Sequence, residues 1–166
     1  MKTTQFNFSK MISTVKYVGV AAMFVAGLAT FSGCATKGCT DATADNYSAD
    51  ATEDDGTCVP ARDKFLGAYA CQEVCGPDNY TYNMTIVTSS TGDLKVIIQN
   101  LGDFSTQVDA AATVSGDNIT IDAASYNNVS FTGSGSINGN VLTLTYTATD
   151  NASGQSVTCT VTATKS

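Results

Sequence analysis

VLTLTYTAT, residues 141–149, alternates without a break. Leu142, Leu144, Tyr146 and Ala148 fall on one parity, and Thr143, Thr145, Thr147 and Thr149 on the other. Successive side chains of a strand point to opposite faces, so this run builds one apolar and one hydroxyl-bearing face. A helix would scatter both sets around its axis. SVTCTVTAT at 156–164 repeats the pattern, with Val157, Cys159, Val161 and Ala163 on the inner parity. Threonine's branched Cβ suits extended backbone, and its hydroxyl is at home in water. Both runs read as half-buried strands.

The same period continues upstream. LKVIIQ (94–99) sets Leu94, Val96 and Ile98 on one face, and YTYNMTI (80–86) sets Tyr80, Tyr82, Met84 and Ile86. VSFTGSGSI (129–137) carries Val129, Phe131 and Ile137, with Gly133 and Gly135 between them. Turn signals separate the runs: Thr91-Gly92-Asp93, Ser115-Gly116-Asp117-Asn118, Asn138-Gly139-Asn140 and Asp150 to Gly154. Gly and Asn supply the positive φ that tight hairpins need.

Strands are expected near 65–75, 79–89, 94–101, 104–106, 108–115, 118–122, 129–137, 141–149 and 155–164. The piece at 104–106 is short enough to belong to its neighbour, so the count is about eight. Such short connections leave no room for parallel crossovers, and the sheet is an antiparallel meander. Closure into an up-and-down barrel removes exposed edges; an open β-sandwich is the alternative. Inward glycines at 133 and 135 suit the bending of a small barrel. The all-β domain spans 65–166, enough chain for one modest core.

The first 33 residues read differently. Lys2, Lys10 and Lys16 precede VGVAAMFVAGLATF (18–31), with no acid before Cys34. A basic stretch, a short apolar stretch and small residues make a secretory signal, and the apolar run is shorter than the ~20 residues of a membrane-spanning helix. Ser32-Gly33-Cys34 resembles the lipobox of bacterial lipoproteins, with Phe31 where that family usually has Leu. The resemblance implies cleavage before Cys34, acylation of its sulfur and amine, and stable anchoring by several acyl chains. Ala35, rather than Asp, follows Cys34. By analogy this implies the outer membrane, on its periplasmic face or at the cell surface.

Removing residues 1–33 takes three of the eight basic residues and none of the fifteen acids, leaving five against fifteen, a net charge of −10. Such a chain repels nucleic acid. It contains no His, no G-x-S-x-G and no phosphate-binding Gly loop, so no catalytic residue is assigned and the protein is read as a non-enzyme. Glu73 shares the parity of Tyr69 and Cys71, but it is expected as a solvated carboxylate at the barrel rim.

Six cysteines suit an oxidising compartment. With Cys34 reserved for lipid, Cys39, Cys58, Cys71, Cys75 and Cys159 remain. Two bridges and one free thiol are the most these allow within one chain. Residues 34–38 read as a tether, 39–58 as an acidic module and 59–64 as a linker. The module holds Asp41, Asp45, Asp50, Glu53, Asp54 and Asp55 and almost no core material. A Cys39–Cys58 staple is what such a segment needs, worth about 3 kcal/mol in the chain-entropy account. Its density of hard oxygens also makes Ca²⁺ a candidate ligand, with Asp41, Asp50, Asp54 and Asp55 to hold it. An EF-hand is excluded: aligned on Gly56, Ala51 and Arg62 fall where carboxylates are required. No other cofactor is expected.

Two further resemblances place the chain among known proteins. Cys39, Thr40, Asp41, Ala44, Asn46, Tyr47, Ala51, Thr52, Asp54, Asp55, Gly56, Thr57 and Cys58 match the pattern of a short module of secreted and surface proteins of Bacteroidetes-type bacteria. FLGAYACQEVC (65–75) and VTCTVTATK (157–165) look like the first and last strands of small Bacteroidetes lipoproteins with a lipocalin-like domain. Gly67-Ala68-Tyr69 resembles the lipocalin Gly-x-Trp, with Tyr for Trp. First and last strands of a closed barrel are neighbours, so either Cys71 or Cys75 can bridge to Cys159; the resemblance favours Cys75. It also implies an eight-stranded up-and-down barrel that binds a small ligand; Tyr69, Tyr80, Tyr82, Phe131 and Tyr146 are the residues expected to line it around an apolar molecule. The rival expectation is a filled barrel that contacts another envelope protein, since eight strands are just wide enough for side chains to fill the interior.

Overall fold

The computed structural model describes residues 34–103 and 109–166. The signal segment and the expected strand at 104–106 lie outside the described residues. Two short strands, β1 (Lys37–Gly38) and β2 (Glu53–Asp54), pair in parallel within the acidic module. A 3-10 turn over Ala61–Phe65 follows. Then come β3 (Gly67–Cys75), β4 (Asp78–Thr88), β5 (Lys95–Gln99), a 3-10 turn at Leu101–Asp103, β6 (Asp109–Ser115), β7 (Asn118–Tyr126), β8 (Val129–Asn138), β9 (Val141–Asp150) and β10 (Ser156–Lys165). Strands β3 to β10 form a closed antiparallel barrel in which each strand pairs with its chain neighbour and β10 returns to β3. The barrel expectation holds, and the open sandwich does not.

Period-two alternation fills the interior. Leu142, Leu144, Tyr146 and Ala148 of β9 are buried, as are Cys159, Val161 and Ala163 of β10, while their threonines face water. Tyr69, Met84, Ile86, Val96, Ile98 and Phe131 close over them from the other strands. Gly133 and Gly135 face Tyr146 and Leu144 across the β8–β9 ladder. A Cβ on Gly133 would come within 2.6 Å of the Tyr146 Cβ, and one on Gly135 within 2.7 Å of Leu144 Cδ2. The two glycines leave room for these large residues of β9 to cross the interior, which is the packing use of glycine in a strand.

Three boundaries differ from expectation, each for a physical reason. Strand β7 runs to Tyr126 rather than 122, because the turn after it uses Asn127 and Asn128 at φ 44° and 68°. No glycine marks that turn, and a register shift between Ile121 and Ala124 carries the pairing through. Strand β5 stops at Gln99: Asn100 turns at φ 61° and Leu101 folds inward to full burial. Finally, the tether and the linker are built structure. Residues 37–38 pair with 53–54, and Thr36 exchanges hydrogen bonds with Thr52 in both directions.

The linker forms a plug. Ala61 and Phe65 are buried at the barrel end where β3 begins, and the Tyr69 hydroxyl donates to the Phe65 carbonyl at 2.8 Å. Arg62 Nη1 donates to the carbonyl of Gly92 at 2.6 Å in the β4–β5 loop. Lys64 Nζ donates to Asp117 Oδ1 at 2.6 Å in the β6–β7 hairpin and pairs with Asp45 of the acidic module. Asp117 first, then Asp45, push the Lys64 pKa up. This is the closed end of the barrel, with the module lying against it. The opposite, open end carries the β3–β4, β7–β8 and β9–β10 hairpins and the Leu101–Asp103 turn.

Candidate functional site

Both bridges expected from the sequence are present, Cys39–Cys58 and Cys75–Cys159. Cys75 and Cys159 sit opposite one another where β3 meets β10. Cys71 is the buried free thiol, its pKa pushed up to about 11 by burial, which makes it inert rather than nucleophilic. Cys34 is exposed and unpaired.

The four aspartates considered for Ca²⁺ are not brought together. Asp41 Oδ1 accepts from the backbone N–H and the hydroxyl of Thr43 at 2.8 and 2.7 Å. Asp54 Oδ1 accepts from Gly56 N–H at 2.9 Å, and Asp55 Oδ1 accepts from Thr57 N–H at 3.0 Å and its hydroxyl at 2.6 Å. These bonds hold the Asp41 and Asp55 carboxyls below the usual carboxylate range. Each carboxylate closes its own turn, the local role that Asp favours in coreless segments. Asp50 joins none of these bonds.

Glu73 is where the structure departs most from the sequence reading. It is not a solvated rim carboxylate: it is 2% exposed and points into the barrel beside Cys71 and Cys75. The Tyr146 hydroxyl donates to its Oε1 at 2.6 Å. Oε1 also lies 2.8 Å from Cys75 Sγ, a sulfur with no proton because it belongs to the disulfide. Oε2 is buried with no partner within ordinary hydrogen-bond distance among the described residues, although the Tyr82 hydroxyl also approaches the Glu73 carboxylate. Burial first, and Glu73 second, push the hydroxyl pKa values of Tyr146 and Tyr82 upward. Both phenols therefore stay protonated at neutral pH. The Tyr82 oxygen accepts the Gly102 N–H at 3.1 Å.

Above Glu73 the barrel opens. A pocket of about 320 Å³ is bounded by Glu73, Tyr146 and Ala148 inside and by Tyr80, Asp103 and Val157 toward the rim, with the Cys75–Cys159 bridge in its wall. Tyr80 and Val157 have the inward parity of their strands, yet at the mouth they are 50% and 43% exposed. The aromatic set expected to line a through-going cavity thus divides. Tyr80 and Tyr146 reach the pocket, whereas Tyr69 and Phe131 are packed in the filled interior below it and Tyr82 is fixed by Gly102. Eight strands leave too little width for a cavity along the whole axis once Tyr, Phe and Leu enter it.

Other hollows lack such chemistry. One of about 410 Å³ lies on the outer wall across β10, β3 and β4, between side chains such as Gln72, Asn83 and Thr162. Another of about 330 Å³ lies between module and barrel, where Lys64 is already paired. Glu73, Cys75 and Cys159 bring a carboxylate oxygen and two sulfurs within 4.8 Å of one another. The sulfurs are bonded to each other and offer no thiolate, so in the oxidised protein they are not a metal set.

The chain matches no family model and no curated protein. Among solved structures it is similar to a protein of unknown function of the DUF3598 family from Nostoc punctiforme, with a TM-score of 0.46 and 13% identity. The similarity covers 63% of this chain and 48% of that one, so the chain spans about half the length of that protein.

Proposed function

We propose that this is a lipid-anchored envelope protein whose β-barrel binds a small molecule, without catalysis, in the pocket at its open end. One observation carries the reading: the pocket has a buried carboxylate, Glu73, with an oxygen that nothing described satisfies. A buried polar group without a partner costs about 1–3 kcal/mol. Such a group at the floor of an accessible pocket is what a ligand site retains. Ala148, Val157 and the disulfide supply apolar wall for the rest of the ligand.

Acylation of Cys34 fits this arrangement. The chain enters through the module at the closed end, with Cys34 exposed. An anchor there directs the open end away from the membrane, toward diffusing ligand. The outer-membrane part of the reading rests on Ala35, rather than Asp, after Cys34. Mass spectrometry of the mature N-terminus tests the anchor: a mass carrying acyl chains on Cys34 is expected, and an unmodified thiol would remove it.

Chemical-shift mapping with a fragment library tests the pocket. Perturbed amides are expected to cluster at Glu73, Gly102, Tyr146 and Val157. Perturbations confined to the closed end, or none, would overturn the reading. The second reading, a filled barrel serving contact with an envelope protein, is favoured by the solid interior below the pocket, where Tyr69, Met84, Phe131 and Leu144 are fully buried or nearly so. It predicts no small-molecule perturbation at the mouth.

A further inference from the structure

Among the described residues, those that line the open-end pocket include two acids, Glu73 and Asp103, and no base. Among the described residues, the ion pairs of Lys and Arg go to Glu53, Asp63, Asp93, Asp45, Asp117 and Asp122, none of them to Glu73. Glu73 Oε1 is held by Tyr146, Oε2 is buried with no partner within hydrogen-bond distance among the described residues, and Glu73 lines the pocket. Asp103 is exposed at the rim, its Oδ1 accepting, among the described residues, a long bond from Asn100 Nδ2 at 3.4 Å.

Resting on the reading of this mouth as a ligand site, we infer that its ligand is a small organic ammonium ion, a protonated amine on a short apolar body. An ammonium group presents donors and no acceptor, which matches an unpaired carboxylate oxygen. Pairing it with a charge in a site of low dielectric is stronger than pairing with a neutral donor. Tyr80 and Tyr146 put two aromatic rings in the same lining, and aromatic faces attract cations. Anionic ligands meet Glu73 and Asp103, and a purely apolar ligand leaves Oε2 unsatisfied. A hard divalent cation needs six to eight oxygens, whereas Ala148, Val157 and disulfide sulfur make up much of the remaining wall. The strongly acidic chain raises the local concentration of cations around it.

The volume suits a ligand the size of benzylamine. The test titrates the purified full chain with benzylamine, benzyl alcohol, benzoate and CaCl₂ at pH 7, following amide shifts at Glu73, Gly102 and Tyr146. Glu73→Gln and Asp103→Asn are run in parallel, with spectra that must otherwise superimpose on the parent. Asp103 lies on the surface, so its variant keeps the test open if the Glu73 variant does not fold.

Benzylamine is expected to bind at least about tenfold more tightly than benzyl alcohol, the difference one charged hydrogen bond makes. Benzoate is expected to leave the site unmoved. Glu73→Gln is expected to weaken benzylamine about tenfold or more, and Asp103→Asn about twofold to threefold through loss of a screened charge. Benzyl alcohol binding at the same amides as tightly as benzylamine would overturn the ammonium assignment and leave the pocket standing. Benzylamine affinity indifferent to both substitutions would do the same, as would Ca²⁺ displacing the amine. No probe moving these amides would overturn both the assignment and the pocket.

Discussion

The two ends of the barrel answer their charges differently. At the closed end each cation has an acid beside it: even Arg62 Nε, buried and without a hydrogen bond among the described residues, has the Asp63 carboxylate at 4.0 Å. Lys64 pairs with acids from the module and from the β6–β7 hairpin, Arg62 Nη1 reaches backbone carbonyls of the β4–β5 loop, and Phe65 fills the space beneath. At the open end a carboxylate lies buried with one oxygen unanswered among the described residues, beside two aromatic rings and a half-exposed valine. The same strands make both ends, so the contrast comes from what is placed at their tips. What separates the two is charge and access: Arg62 has acids beside it, whereas no described Lys or Arg pairs with Glu73, which lines an open pocket, and a site is the economical explanation there.

Several substitutions would break or sharpen this contrast. The largest effect is expected from replacing Cys75 and Cys159 together by Ala. Their bridge closes a sequence separation of 84 residues, worth about 4.5 kcal/mol in the chain-entropy account. Denaturant unfolding of the double variant should show a loss of that order. A loss under about 1 kcal/mol would mean that strand pairing alone holds the β3–β10 seam. Removing the Cys39–Cys58 bridge should loosen the module and leave barrel amides protected from hydrogen exchange.

Next comes Phe65→Ala. A large-to-small change at a fully buried aromatic costs about 3–5 kcal/mol, and the same unfolding measurement reads it. A small effect would show that the plug is not part of the core. Lys64→Met should cost about 1 kcal/mol, since its partners are partly exposed and screened. Hydrogen exchange in residues 41–47 should rise with it, reporting release of the module from the barrel.

The smallest effect is expected from pH. Lys95 first, then the Thr113 hydroxyl, hold the Asp122 carboxyl below its usual 3.8 against the opposing effect of burial. A lowered folded-state value contributes stability above the unfolded value, lost as pH falls through the folded one. Wild-type melting temperature should therefore fall below about pH 3.8, and Asp122→Asn should make that fall shallower. Lys64, whose value is raised, acts oppositely: its contribution is present below 10.5 and is lost as pH rises through the raised value.

The sequence made the barrel legible because threonine alternation is a long, unambiguous signal. VLTLTYTAT and SVTCTVTAT leave no competing helical period, and their hairpin turns contain Gly or Asn at the positions required. The end of β7 was hidden because the alternation fades after Ile121, where a register shift between Ile121 and Ala124 carries the strand on to the Asn127-Asn128 turn. The site was half legible. Parity placed Glu73 with Tyr69 and Cys71, but whether an inward residue lies at the rim or below it depends on barrel stagger, which alternation does not encode. Frequency of exposure argued for the rim, and the Tyr146 hydroxyl, 73 residues away, won instead. Tyr80 and Val157 failed the other way: inward parity, yet positioned so near the mouth that water reaches them. The role of the linker was missed because Pro60 and charged neighbours disguise a turn that buries only Ala61 and Phe65.

The stability of Glu73→Gln, measured by denaturant unfolding at pH 7 without ligand, tests most directly whether Glu73 is kept for binding rather than for folding. Glutamine preserves the shape and the acceptor for Tyr146 while removing the chance of an unpaired buried charge. A site residue predicts unchanged stability or a gain of about 1 kcal/mol. A loss of about 3 kcal/mol or more, as when a buried polar network is broken, would make Glu73 a structural member of the core and contradict the account.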